Sequence, residues 1–472
     1  MAKETNQTMS YAPTIAEEAI KTLRSQVQGA VFVPGDEGYD DAGRAWNLSV
    51  QQHPAVIVTV RTATDVAAAV GFARQQGLGV SVQSTGHGVI RPADNCLQLV
   101  TSHMADVTVD AEAQTAWIEA GAPWGAVLPK TQAAGLAPLL GSSPGVGSVG
   151  YTLGGGLGWL ARKYGLAVDS VRRFEVVTAN GQMRTASADE NADLFWALRG
   201  GGGGFAVVTG MEIQLYPVTT VFGGNLVYPA ELAGQVLRRF REWIQTLPEE
   251  FTAAFALMNL PPLPMVPEFL QGKSVVMVRG CYCGPVEQGQ ALLQPWLDWQ
   301  APIANLFRVM PFTEVATVSN DPMDPMPSFT TGAWLGDLNE ETIDTLIEYG
   351  IAKGGPSPLI STEVRYISGA MARVDADANA FSYRNSTMML AIIGMGPMGE
   401  AQAYSQQHAS RFKEALQVHL AGVFANFLEG EEGRSGATIA FSPEHYRRLA
   451  AIKAKYDPDR LFDFSYDIPP AA

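Results

Sequence analysis

Cysteine and basic residues are both scarce in this chain of 472 residues. It has three cysteines, too few for the disulfide framework of a small secreted protein. Lys and Arg number 32 against 47 Asp and Glu, which gives a net charge of -15. Nucleic acids and anionic membrane surfaces attract clustered basic side chains, so the composition argues against both as partners. No apolar run approaches the ~18 residues that a membrane span needs.

Two further absences concern localisation and metals. Residues 1–14, MAKETNQTMSYAPT, lack the basic and then apolar pattern of a secretion signal, so we expect a cytoplasmic protein. Cys281 and Cys283 have no third or fourth ligand close in sequence, so no metal site is predicted. What the chain does have is a globular composition, 47% hydrophobic and 17% charged, and enough length for two domains.

The order and type of the predicted helices and strands differ between the two halves of the chain. A strand at 54–60, a helix at 64–76 and a strand at 79–83 predict a β-α-β unit. The turn Ala-Asn-Gly-Gln at 179–182 predicts a hairpin. Residues 221–425 combine strands with amphipathic helices, one of them at 403–420, which is typical of a sheet covered by helices.

The stretch from Gly141 to Asp169 has the densest glycines of the chain. Glycine weakens helices and strands, and a dense run lets backbone N–H groups approach an anionic or planar ligand closely. A phosphate-bearing cofactor is therefore expected. Gly145, Gly147 and Gly150 match G-x-G-x-x-G, with Asp169 near the usual spacing, but no aliphatic strand precedes them and more glycine follows. We reject the dinucleotide-binding interpretation on that context.

A second motif, Ser84-Thr85-Gly86-His87-Gly88, directly follows the predicted strand at 79–83. With a glycine on each side, nothing beside His87 blocks contact with a flat ring. Imidazole is a good nucleophile near neutral pH because its reference pKa is ~6.5. Gly200–Gly204 is a third glycine run, with two open interpretations: a flexible loop or a cofactor contact.

These motifs, in this order, resemble the berberine-bridge-enzyme-like oxidoreductases of the vanillyl-alcohol-oxidase (PCMH-type) flavoprotein superfamily. The resemblance covers nearly the whole chain, and its simpler bacterial 6-hydroxynicotine-oxidase-type members look most similar. The segments that carry it are STGHG at 84–88, VGYTLGGGLGWLARKYGLAVD at 149–169, SADENADLFWALRGGGGGFAVVTG at 187–210 and RLAAIKAKYDPDRLF at 448–462.

The resemblance implies an α+β fold of two domains. Residues 1–220 would form an FAD-binding domain, 221–425 an inserted substrate domain with an antiparallel sheet covered by helices, and 426–472 a segment that returns to the FAD domain. It also implies an FAD-dependent oxidase that moves a hydride from an alcohol, sugar, amine or hydroxylated aromatic to flavin N5, with O2 reoxidising the flavin to give H2O2. A dehydrogenase or oxygenase with another acceptor, and a flavin-binding protein without catalysis, stay open.

The same resemblance assigns the cofactor residues. His87 would carry a single covalent bond to the flavin, and Val146 would guard oxygen access, since valine there goes with oxidases and leucine blocks. The implied FAD contacts are Ser84, Thr85, Gly86, His87, Gly88, Ser143, Val146, Gly147, Gly150, Thr152, Gly154, Gly155, Gly156, Gly158, Gly204, Val207 and Tyr466.

Three departures from the family pattern concern the chemistry. Ser143 stands where doubly linked members have a cysteine, so a second bond is excluded. Phe424-Ala425-Asn426 stands where the family has a catalytic Tyr-x-Asn, and a phenyl ring cannot take a proton. The tail reads Ser465-Tyr466-Asp467-Ile468 in place of Asn-x-Asn-Ile. Candidates for the catalytic group are Tyr466, Asp467, Tyr383 and Asn426, although each tyrosine also suits a packing role and Asp467 an ordinary polar position.

Overall fold

A computed structural model describes residues 15–264, 266–352, 357–395 and 399–471. The amino-terminal residues behind the predicted localisation lie outside these ranges. The described chain mixes helices with three sheets, which confirms the α+β class. None of its described helices has both the length and the apolar character to cross a bilayer.

The first sheet has four strands, and its order explains where the His87 loop emerges. Its strands are β1 (Val31–Phe32), β2 (Val56–Thr59), β3 (Val80–Gln83) and β4 (Leu97–Val100). The order is β1-β2-β4-β3, with β2 and β3 both parallel to β4. The predicted β-α-β unit is present, but β4 lies between its two strands. The loop that carries His87 leaves the carboxyl end of β3, the edge where parallel sheets commonly bind ligands.

The second sheet is antiparallel and has the order β5-β6-β9-β7-β8. Its strands are β5 (Val107–Asp110), β6 (Thr115–Glu119), β7 (Val171–Val177), β8 (Met183–Ser187) and β9 (Val207–Gln214). The hairpin predicted at 179–182 joins β7 to β8 and is confirmed. The glycine segment that begins at Gly141 lies in the long connection between β6 and β7, so it is free to form loops rather than sheet.

The third sheet is the largest and is antiparallel throughout. Its nine strands are β10 (Thr220–Pro229), β11 (Phe251–Asn259), β12 (Ser274–Tyr282), β13 (Ala304–Asn305), β14 (Arg308–Pro311), β15 (Ser328–Leu335), β16 (Ser361–Tyr366), β17 (Met388–Met395) and β18 (Leu420–Val423). The sheet thus begins and ends near the predicted boundaries at 220 and 425, which themselves stay a prediction.

Fifteen α-helices accompany these sheets in the part of the chain that the structure describes. They are α1 (Glu17–Gln26), α2 (Tyr39–Gly43), α3 (Ala63–Gln76), α4 (Trp124–Ala133), α5 (Ser148–Leu153), α6 (Ala161–Tyr164), α7 (Ala192–Leu198), α8 (Ala233–Trp243), α9 (Val286–Trp299), α10 (Glu340–Gly350), α11 (Ala370–Arg373), α12 (Glu400–Ala415), α13 (Gly430–Ser435), α14 (Ala437–Ala440) and α15 (Pro443–Tyr456). One prediction was wrong. The helix expected at 403–420 ends at Ala415, because Leu420 already pairs with Leu335 as a strand.

One face of the large sheet buries apolar side chains under helices, and the other meets the rest of the chain. Phe255 and Leu257 belong to a core shared with α8, α10 and α12. Ala254 and Cys281 instead pack with Trp159 and residues of the second sheet. Strand residues alternate between faces, so the even-numbered positions of β11 face the glycine segment. The candidate site lies along that contact.

Candidate active site

His87 is held in a defined orientation by its neighbours. Its ring stacks on Trp46, with centroids 4.2 Å apart and planes 13° from parallel. Its Nδ1 lies 2.8 Å from Thr85 Oγ1. Gly86 has a φ of +76°, and a Cβ there would come within 2.6 Å of the Ala45 backbone, so only glycine permits this turn. Packing and one hydrogen bond therefore fix the ring.

The other ring nitrogen of His87 has no partner. Nε2 is buried and makes no hydrogen bond, and Ser143 Oγ is also buried without one. A Cβ built on Gly145 would lie 3.5 Å from Nε2 and 3.8 Å from Ser143 Oγ. The two buried atoms without hydrogen bonds therefore both lie close to Gly145. Unpaired buried polar atoms cost about 1–3 kcal/mol each. Their convergence indicates a place where a ligand atom belongs.

Burial lowers the pKa of His87 to about 4. The imidazole is consequently neutral at pH 7, with one nitrogen lone pair available. That protonation state suits a nucleophile or a hydrogen-bond acceptor and does not suit a cationic anchor.

The loop at 84–88 and the glycine segment are tied together by hydrogen bonds. Gly147 N–H donates to Thr85 Oγ1 at 3.3 Å, and Ser84 Oγ donates to Gly121 O at 3.3 Å. Gly88 and Gly150 behave differently, since a Cβ on either one would meet no atom within 4 Å. Their backbones are therefore open to close approach by a ligand, as the sequence analysis expects for cofactor contacts.

The glycines from 154 to 158 are explained by packing within the protein. A Cβ on Gly154 would lie 2.7 Å from Asn426 Nδ2, and one on Gly155 would lie 2.7 Å from the Phe381 ring. A Cβ on Gly156 would meet Ala167 and Tyr151, and one on Gly158 would collide with a backbone carbonyl. Their role as FAD contacts stays a prediction.

Asn426 is a positioning residue for this segment. Its Oδ1 accepts from Gly156 N–H at 3.1 Å, and its Nδ2 donates to Tyr151 O at 2.9 Å. The side chain thus joins the carboxyl-terminal region to both ends of the segment 151–156. Thr152 lies inside α5, where its hydroxyl donates to Ser148 O at 2.8 Å.

The glycine run at 200–204 is anchored rather than flexible. Gly200 and Gly202 both donate their N–H groups to Leu153 O, at 3.1 Å and 3.0 Å. Gly204 O accepts from the buried Lys453 Nζ at 2.6 Å. Val207 is buried in the core of the first sheet. The run therefore holds the end of the glycine segment in place.

The candidate bases have partners that suit structural roles. Tyr466 is buried and donates to Ala425 O at 2.8 Å, and burial raises its pKa. Tyr383 donates to Ile439 O at 3.0 Å, and burial raises its pKa as well. Asp467 accepts from Arg460 at 2.6 Å in a half-exposed ion pair. Each of the three side chains therefore has at least one structural partner, and their catalytic role stays a prediction.

Phe424 replaces the family tyrosine with an apolar surface. Its ring meets Trp334 at 5.0 Å and Phe427 at 5.1 Å between centroids. It is buried in a cluster with Phe381 and Met389. Tyr383, one of the candidate bases, packs against the same cluster, and its hydroxyl donates to Ile439 O.

The sequence analysis missed a buried ionic triad, Arg279, Glu363 and Arg365, on the sheet face that meets the glycine segment. Glu363 Oε2 accepts from Arg279 Nη1 at 2.7 Å, and Oε1 accepts from Arg365 Nη2 at 2.6 Å. Burial alone would raise the pKa of Glu363, but Arg365 and Arg279 hold it below its ordinary value. The available signal was a pair of alternating charges inside the otherwise neutral strand at 361–366.

A fourth charged residue lies close to the triad. Asp321 accepts a hydrogen bond from Ser142 Oγ at 2.5 Å, and part of its surface stays accessible although its carboxyl group is enclosed. Burial raises its pKa, and Glu363 adds to the effect. Ser142 precedes Ser143, so this acid connects the inserted region with the surroundings of His87. Among the described residues, no group of His, Cys, Asp and Glu could hold a metal ion.

Comparisons with known proteins concern the family and the fold. A family model for an FAD binding domain matches residues 54–187, and one described as berberine and berberine like matches 423–469. An FAD-linked oxidoreductase of Dictyostelium discoideum is 25% identical, over 96% of this chain and 98% of its own length. The (R)-6-hydroxynicotine oxidase of Paenarthrobacter nicotinovorans is 27% identical, over 94% and 97%.

Solved structures share the fold. The 6-hydroxy-D-nicotine oxidase of Arthrobacter nicotinovorans superposes with a TM-score of 0.82 at 24% identity, covering 94% of this chain and 98% of its own. The glucooligosaccharide oxidase of Acremonium strictum, described with a 6-S-cysteinyl, 8α-N1-histidyl FAD, gives 0.83 at 23% identity, covering 96% and 100%. Two family models in the expected order and relatives along almost the whole chain confirm the resemblance to the berberine-bridge-enzyme-like FAD-linked oxidoreductases.

Proposed function

We propose that this enzyme is an oxidase that takes a hydride from a C–H bond of a small or medium organic substrate and returns the electrons to O2, with H2O2 as product. When bound, FAD supplies the hydride acceptor at N5 and the reaction with oxygen. Relatives named as oxidases of 6-hydroxynicotine and of glucooligosaccharide support this reaction class. The unpartnered Nε2 of His87 in its fixed pocket is the observation that carries the cofactor assignment.

We also propose that His87 forms the only covalent bond to the flavin. Its neutral ring and unpaired Nε2 suit attack on the 8α-methyl carbon, where a C–N bond replaces a C–H bond. When bound, FAD would accept the two electrons that this bond formation releases, and O2 would be their final acceptor. A neighbour in structure is described with both a cysteinyl and a histidyl link. Ser143 is an alcohol, a far weaker nucleophile than a thiolate, so it adds no second bond.

The remaining cofactor residues would position the ring. Gly88 and Gly150 leave room for it, Asn426 holds the glycine segment in place, and Lys453 anchors Gly204. We place the substrate between that segment and the face of the large sheet, which corresponds to an FAD domain at 1–220 and 426–472 and a substrate domain at 221–425. A cytoplasmic location and the absence of nucleic-acid partners stay predictions.

Phe424 favours a second candidate function, a flavin-binding protein that has lost its base. Positioned acid–base groups typically supply ~10²–10⁴-fold in rate, and the position that supplies one in the family is apolar here. Anaerobic mixing with alcohols, sugars, amines and hydroxylated aromatics separates the two. Bleaching of the flavin band indicates an enzyme, and no bleaching with any of them favours the binding protein.

Acid precipitation tests the covalent bond. The denatured protein should stay yellow, with the flavin mass on a peptide that contains His87. His87→Ala should release the colour into the supernatant. His53→Ala is the matched control, because His53 lies on an exposed loop beside Asp94. Free FAD in the supernatant of the unmodified protein would refute the bond and leave the flavin site intact.

A further inference from the structure

Two arginines flank one alanine on the sheet face that meets the glycine segment. Ala254 of β11 is opposite Arg279 of β12 on one side and Arg365 of β16 on the other. Glu363, two positions along β16, bridges them. The side chains are 7%, 6% and 8% exposed for Arg279, Arg365 and Glu363. The small Ala254 leaves the two guanidinium groups to line this part of the face.

The triad has one more positive charge than negative. Glu363 accepts from Arg279 Nη1 and from Arg365 Nε and Nη2. Asn225 Oδ1 accepts from Arg279 Nε at 3.0 Å. The remaining edges are poorly paired: Arg279 Nη2 has Met277 Sδ at 3.5 Å, and Arg365 Nη1 has Leu157 O at 3.5 Å. One edge of each guanidinium is therefore available to a stronger acceptor.

The surroundings do not neutralise this excess charge by direct contact. Arg365 lies 4.2 Å over the Trp159 ring, and the buried Tyr151 hydroxyl has no hydrogen-bond partner. Asp321 acts on both arginines through space, but its bond goes to Ser142. Within the described ranges, no ion pair of 4.0 Å or less joins Asp321 to Arg279 or Arg365. A buried charge without a counterion is costly, and a bound anion would relieve that cost.

We propose that Arg279 and Arg365 bind a carboxylate of the substrate, which makes the substrate an organic acid with an oxidisable C–H bond. This inference rests on the proposed oxidase function and narrows it to acidic substrates. Arginine suits the role because its planar fork pairs with the two oxygens of a carboxylate. Cationic amines are disfavoured by the same excess charge.

Benzoate and benzamide form a matched pair of probes, since they have the same shape and only benzoate is charged. Titration into the flavin-loaded protein, followed by the flavin absorption spectrum, gives a dissociation constant without turnover. We expect benzoate to bind at least tenfold more tightly than benzamide. Arg279→Met should weaken benzoate by about ten- to hundredfold and leave benzamide unchanged, as expected for lost hydrogen bonds to a charged group.

Glu363→Gln keeps the volume of the triad and both arginines. It therefore tests whether positive charge at the triad favours benzoate, even if Arg279→Met does not fold. Removing the carboxylate adds net positive charge, and benzoate should bind as tightly or more tightly. Arg308→Met is the control, because Arg308 lies in an exposed pair with Glu314. Equal affinity for the two probes in yellow, flavin-loaded protein, or loss of benzoate binding in Glu363→Gln, would overturn the inference. Colourless protein would instead refute the proposed function.

Discussion

Asn426 offers the sharpest test of how the site is held together. The side chain accepts from Gly156 N–H and donates to Tyr151 O, and Gly156 is buried. Each hydrogen bond contributes about 1 kcal/mol, and a buried donor left unpaired costs about 1–3 kcal/mol. Asn426→Ala removes both bonds and leaves Gly156 N–H alone. The free energy of unfolding should fall by about 2–4 kcal/mol.

Urea unfolding, followed by flavin fluorescence and tryptophan fluorescence, measures this loss. The flavin transition should move to lower urea, because the affected segment is the one that we propose to hold the cofactor. Asn305→Ala is a matched control, because Asn305 is exposed and makes one local bond to Phe307 N–H. It should change stability by no more than about 0.5 kcal/mol. An equally small change in Asn426→Ala would refute the idea that this side chain holds the glycine segment.

Three further predictions concern oxygen, the base and pH. Val146→Leu should slow reoxidation by air and leave reduction by substrate intact; stopped-flow rates of the two half-reactions check this, and unchanged reoxidation contradicts it. Tyr466→Phe, Tyr383→Phe and Asp467→Asn should each change the reductive rate less than ~10²-fold, because their polar groups already have partners; a larger drop in one would identify it as the base. Burial raises the pKa of Glu429 to about 8 from 4.5, so its contribution to stability is complete below pH 4.5 and is lost as pH rises towards 8. Thermal midpoints of Glu429→Gln should therefore depend less on pH between 5 and 8, and an unchanged slope would contradict the assignment.

The fold class and the family were predictable because many short sequence motifs indicate them, and each motif can be recognised from neighbouring residues alone. The glycine segment, the His87 motif and the tail at 448–462 each carry residue types with few alternative uses, and the family assignment they gave is confirmed. The hairpin at 179–182 was predictable from its Asn-Gly turn alone. The order of the first sheet was not, since β4 inserts between β2 and β3 through pairing that no local pattern records.

The site was predictable only in part because its charged residues come from distant strands. Arg279 and Glu363 are 84 positions apart and meet only once β11 pairs with both neighbours. The alternating charges at 361–366 mark Glu363 and Arg365 as unusual in a strand, but no local pattern identifies Arg279 as a partner of Glu363. The predicted end of α12 was wrong for a related reason. The helical spacing of apolar residues continues to Leu420, but Leu420 pairs with a neighbouring strand instead. Tertiary contacts decide such cases.

The bonds between early segments of the chain and its carboxyl-terminal residues also bear on the order of folding during synthesis. Synthesis proceeds from the amino terminus, and domains fold as they emerge from the ribosome. Gly156 bonds to Asn426, which follows 270 positions later, and Val80 N–H donates to Leu461 O at 2.7 Å. A nascent chain that ends after the large sheet lacks both contacts. We therefore expect a chain truncated before Asn426 to bind FAD more weakly than one that extends past Leu461.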